Sequence, residues 1–174
     1  MYPKKHDDMG EFTAEEKNKA DFYRDVFLYL HFCPSEDHGQ VDAEELDKWC
    51  ETFLNIMRQN DLYDIGIKYL GEFLAHSPSS GGGTVWPVPS VCQAIEKYYS
   101  EKLGNSFLVE TLNMKNVHLL NAGKSKKKTA EHFETYLKES EFQYPCTAKI
   151  LHDIRDAYLE ESKFERSCAE YEYQ

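Results

Sequence analysis

At 174 residues, 41% hydrophobic and 14% aromatic, the chain has the material for a real core and the length of one domain. Its net charge of −11 is carried by its ends: residues 1–60 and 129–174 hold about twice as many acids as bases. That balance repels nucleic-acid phosphates and anionic membranes over most of the surface and leaves open a basic protein partner. The apolar run Val26–Leu30 is far too short to span a bilayer, the start MYPKKHDDMGEF lacks a signal peptide's apolar segment, and five scattered cysteines without a CxxC argue against a disulfide framework or a zinc ribbon. The expectation is a cytoplasmic protein with reduced thiols and no cofactor.

Residues 1–12 show no apolar periodicity and read as a flexible N-terminal arm, leaving 13–170 as a single helical domain. Thr13 and Glu16 form a capping box for a helix to His31, ended by Pro34. The segment CPSEDHGQ reads as a loop. A second box at Asp42 and Glu45 opens a helix to Gln59 carrying Leu46, Trp49, Cys50, Phe53 and Met57 on one face. Asn60 and Asp61 then mark a tight turn into an antiparallel partner.

That partner, residues 61–76, is expected to be the buried centre of the molecule. Leu62, Ile65, Tyr69 and Phe73 make one apolar stripe and Tyr63, Ile67, Leu70 and Leu74 a second, so neighbours should cover two of its three faces. Gly66 and Gly71 each cost about 1 kcal/mol relative to alanine in a helix interior, which close approach of a neighbouring helix backbone would offset.

The segment SPSSGGGTVWPVP forbids regular structure, and Trp86 within it reads either as a core anchor or as a partner-contacting residue of an exposed loop. Pro89 starts a helix to about Glu101, Leu103–Met114 forms another, Ser125 opens one through Leu137, and Pro145 starts the last, with Leu151, Ile154 and Tyr158 as its stripe. No period-two run occurs. The fold class is all-α, about seven helices in a single orthogonal or antiparallel bundle around residues 61–76.

Few residues suggest chemistry. His31, Cys33 and His38 are metal-capable and close in sequence, but H-x-C-x4-H matches no structural zinc spacing. Lys124, Lys126, Lys127 and Lys128 sit at a helix N-terminus that already carries partial positive charge, an arrangement that suits a visiting anion or acidic partner. No motif sets a nucleophile beside a base, so no catalytic residue is assigned.

Three segments, IGIKYLGEFLAHSP (65–78), Trp86-Pro87 and YPCTAKILHDIRDAYLEES (144–162), together resemble a helical region at the C-terminus of uncharacterised bacterial proteins. The resemblance covers roughly residues 42–168 and implies an appendage with an interaction or regulatory role and no known activity. The chain departs from it at Asn113–Val117 and at its single Gly123, so no ligand is carried over there. The expected function is a non-enzymatic helical protein-interaction module, a subunit or regulator of a bacterial complex. The alternatives are an acidic inhibitor or immunity-type protein that masks a basic site, and a metal-dependent enzyme.

Overall fold

The computed structural model describes residues 13, 18, 30–80, 83, 85–118 and 124–172, without the side chains of 115–118, 124–125, 139, 165–166 and 168–172. The arm over 1–12 and most of the predicted helix over 13–31 lie outside the described residues. Internal packing divides the chain into two units, Met1–His31 and Phe32–Gln174, and the second holds every element named below.

A short antiparallel hairpin, β1 (Glu36–Asp37) with β2 (Gln40–Val41), precedes the helices α1 (Ala43–Gln59), α2 (Tyr63–Ala75), α3 (Pro89–Tyr98), α4 (Glu101–His118), α5 (Lys124–Ser140) and α6 (Pro145–Glu172). The protein is mostly helical, with six helices among the described residues. All six fall where the periodicity predicts them.

The hairpin replaces an expected loop. His38 and Gly39 both have positive φ, 50° and 80°, the backbone that a two-residue turn requires to match strand twist. Glu36 fixes it by accepting the Gly39 amide at 2.7 Å.

Local chemistry sets the helix ends. Asp42 Oδ1 accepts from the amides of Glu44 and Glu45, both at 2.9 Å, and starts α1. At its other end the Leu62 amide reaches the Met57 carbonyl at 2.8 Å and the Asp61 amide reaches Arg58 at 3.2 Å, with Asp61 in the left-handed region at φ 57°. These are the two bonds of a Schellman stop, here with aspartate where glycine is usual. Ser100 Oγ accepts the Leu103 amide at 3.2 Å and opens α4 ahead of the Gly104 and Asn105 that make its start obscure in sequence. The α6 N-terminus is capped from a distance: Glu96 of α3 accepts from the Cys146 and Thr147 amides at 3.1 and 2.8 Å.

The helices form two antiparallel pairs joined by two bridges. In the first, Trp49 and Phe53 of α1 pack on Phe73 of α2, with Phe53 and Phe73 ring centroids 5.9 Å apart. In the second, Phe133 of α5 stacks on Tyr158 of α6 at 5.8 Å. α3 packs on α1 and α6, and α4 packs on α2 and α6. The central place expected for residues 61–76 is therefore shared, since α2 lies against α1 and α4 while α6 lies against α3, α4 and α5. α4 runs parallel to α2: Gly71 meets Leu103 and Ser106, and farther along both helices His76 meets Glu110.

Only part of α2 is covered. Gly66, Ile67, Leu70, Gly71, Phe73, Leu74 and Ala75 are buried. Leu62, Tyr63 and Ile65 are exposed, so the apolar stripes reach the surface where the helix begins. Among the described residues no helix is long and apolar enough to cross a membrane.

Candidate functional site

The residues singled out in sequence end up in unlike surroundings. Cys33 is buried, and burial with the nearby charge of Glu36 pushes its thiol up to about 12. His38 stands at the tip of the hairpin with its side chain 96% exposed, 3.6 Å from Asp37. His31 is exposed and belongs to the other unit. Cys33 and His38 belong to no cluster of three metal-capable side chains among the described residues.

Trp86 lies in the core at 8% exposure, packed on Phe107, Phe133 and Tyr136, with its indole N–H donating to the Ser77 carbonyl at 2.9 Å. The ring is thus enclosed rather than offered at the tip of the loop. Ser77 also accepts the Val88 amide through Oγ at 3.1 Å, and Ser80 pairs with Val85, so the two arms of the glycine loop are held to each other.

The lysine-rich turn opens α5. Lys127 and Lys128 face solvent, while Lys126 lies 2.8 Å from the Glu161 carboxylate of α6, at ion-pair distance without the alignment of a hydrogen bond. The chain thus supplies its own acid for one lysine of this turn. The side chain of Lys124 lies outside the described residues. Beneath the pair, Tyr158 is fully buried and its hydroxyl finds no hydrogen-bond partner among the described residues; burial, with Glu161 nearby, pushes it up to about 12.

Two further groupings emerge only from the fold. Between α1 and α3 is a cleft of about 310 Å³ lined by Glu44, Asp47, Ser90, Gln93 and Lys97. Lys97 Nζ donates to both oxygens of Asp47 at 2.7 and 2.8 Å and to Glu51 at 2.9 Å, and the Tyr98 hydroxyl donates to Asp47 at 2.8 Å. The Lys97 and Tyr98 bonds hold the Asp47 carboxyl below the usual carboxylate range. Lys97 offsets only part of the acid charge of Glu44, Asp47 and Glu51, which leaves the cleft net acidic.

The second grouping joins α2 and α4. His76 Nε2 lies 3.0 Å from Glu110 Oε1, with the two side chains 14% and 16% exposed. One turn earlier Glu72 pairs with Lys68 at 3.5 Å, and its carboxyl is held above the usual range, first by burial and also by the charge of Glu110. Sequence could offer Glu72 and His76 as neighbours at i, i+4. Glu110, 34 positions on, becomes their neighbour only when α4 lies along α2.

Apolar side chains are left outside at several places, Phe142 and Phe164 the most exposed at 96% and 71%, and four of them flank the α1–α2 turn. Ile56 at the end of α1 is 53% exposed, and Leu62, Tyr63 and Ile65, across the Schellman turn, are 42%, 38% and 47% exposed. Comparison with protein-family models, curated proteins and solved structures finds no match to this chain.

Proposed function

We propose that this chain is a non-enzymatic protein-association module that binds its partner through the corner where α1 turns into α2. One observation carries the reading: Ile56, Leu62, Tyr63 and Ile65 expose apolar surface within a few residues of one rigid turn. A Schellman-stopped helical hairpin holds that surface in fixed geometry, which lowers the ordering cost of association. The opposite exposures of Cys33 and His38 give no support to a shared metal there. A role as subunit or regulator of a bacterial complex follows the resemblance of residues 65–78, 86–87 and 144–162 to appendage-like helical regions.

Affinity purification from the source cells tests the reading, comparing the native chain with a double variant, Ile56→Glu and Ile65→Lys. Both positions are at the surface, so helical circular dichroism should be unchanged while a stoichiometric partner is lost. Equal recovery of that partner by the folded variant would sink the proposal. The acidic-inhibitor reading rests on the net charge of −11 and predicts in addition that binding weakens steeply with salt, whereas an apolar corner predicts little salt dependence.

A further inference from the structure

α1 and α3 face each other across small residues. Ala43 of α1 and Ala94 of α3 stand where larger side chains would close the gap, and the cleft of about 310 Å³ remains. Each helix turns one face to it: Glu44, Asp47 and Glu51 succeed one another at helical spacing on α1, as Ser90, Gln93, Ala94 and Lys97 do on α3. One end of the cleft is occupied, because Lys97 and Tyr98 bind Asp47 there and Lys97 also binds Glu51. The other end is open. Its Glu44 carboxylate, Ser90 hydroxyl and Gln93 amide make no side-chain hydrogen bond or ion pair among the described residues.

We propose that this cleft receives an arginine side chain of a basic protein partner. Charge selects a cation, since Lys97 offsets only part of the acid charge of Glu44, Asp47 and Glu51. Shape selects a long side chain with a polar head. Its apolar stem lies over Ala43 and Ala94, and its guanidinium donates to the Glu44 carboxylate and to the side-chain oxygens of Ser90 and Gln93. These acceptors are spread over two helices, so the five donors of a planar fork reach them together where a lysine ammonium reaches fewer. A metal ion fits less well, because Glu44 is the one carboxylate lining the cleft that no lysine already holds. The cleft lies about two turns of α1 before Ile56, so this contact is separate from the apolar corner and does not rest on it.

The test is an amide-resolved NMR titration of the full chain with the peptide acetyl-Gly-Arg-Gly-amide, its lysine and citrulline counterparts serving as controls. Saturable shifts are expected at the amides of Glu44, Ser90 and Gln93, and they should weaken as salt is added. The lysine peptide should bind about threefold or more weakly, and the uncharged citrulline peptide should not bind. Glu44→Gln, at an exposed position, should lower affinity about fivefold or more by removing the open carboxylate. Ala43→Phe, also exposed, leaves the charge unchanged and should abolish binding by filling the cleft. Ile65→Ala, at the apolar corner, should change nothing, which separates this site from that one. The amide spectrum away from the cleft reports that each variant is folded. Absence of saturable shifts, shifts scattered over the acidic surface, equal binding of the lysine peptide, or full binding to Ala43→Phe overturns the proposal.

Discussion

Gly71 of α2 lies directly beneath the main-chain carbonyl of Leu103 in α4, leaving no room for a side chain. A Cβ there would also come within 3.1 Å of Ser106 Cβ. Backbone cannot step aside as a flexible side chain can, so Gly71→Ala should cost about 2–3 kcal/mol by forcing the helices apart. Gly66 is tight to a lesser degree: a Cβ there would meet Met57 Cβ and Cγ at 2.8 Å, and because Met57 Cβ is fixed to the backbone, α1 would have to shift slightly to admit it. With about 1 kcal/mol of helix propensity gained in return, Gly66→Ala should be the milder change. Urea unfolding of the two variants checks the order, and a reversed order would remove the close-approach account of Gly71.

Asp61 occupies a backbone state that favours glycine, and as an anion it sits at the helix end where the carbonyl dipoles are negative. Asp61→Gly should therefore stabilise the protein by about 0.5–1 kcal/mol, the relief of left-handed strain exceeding the added freedom of the unfolded chain. Thermal melts at neutral pH decide it. A drop in melting temperature would mean that the aspartate side chain holds the turn in some other way.

Much of this architecture was legible because helix signals are local. Asp42, Pro89 and Pro145 announce their helices in sequence, and the Asn60-Asp61 turn with the antiparallel α1–α2 pair follows from them. Three features were not legible, each for a physical reason. The hairpin at Glu36–Val41 rests on His38 accepting a positive φ, which histidine rarely advertises. The exposure of Leu62 and Ile65 depends on which helix arrives to cover α2, and α4 arrives on the Gly71 side. The pairing of His76 with Glu110, like the capping of α6 by Glu96, joins residues far apart in the chain and exists only after packing.

Glu96 links α3 to the start of the longest helix through two backbone amides and the Thr147 hydroxyl. Removing it would orphan donors at a helix N-terminus, where a carboxylate also meets favourable dipole charge. Glu96→Ala should cost about 1–2 kcal/mol, and Glu96→Gln less, because the amide oxygen still accepts one bond. Hydrogen exchange at the Cys146 and Thr147 amides should quicken in the alanine variant. Unchanged exchange would show that solvent caps α6 equally well.

Glu72 carries a pH signature with a definite sign. Its carboxyl is raised in the folded state above the ordinary value of 4.5, mainly by burial, so folding disfavours its ionised form. That penalty is fully present above the folded value and fades as pH falls through it toward the unfolded one. Glu72→Gln should therefore raise the melting temperature at pH 7, less the small loss of the exposed Lys68 pair, and the gain should vanish as pH falls to the ordinary carboxylate range. A gain that grows on acidification would contradict the raised carboxyl.

The cysteines give a reporter of opening. Cys33, Cys50 and Cys92 are buried, and burial pushes each thiol up to about 12, so at pH 8 almost none of the reactive thiolate is present. Cys146 is only half-buried at the start of α6, its thiol raised by burial and by the neighbouring Glu96. In a Cys168→Ser background, a thiol reagent should modify Cys146 first, and the other three together at the rate of unfolding. Mild urea should accelerate the slow group far more than Cys146. If Cys33 reacts ahead of Cys50 and Cys92, the segment bearing it opens separately from the α1–α3 core.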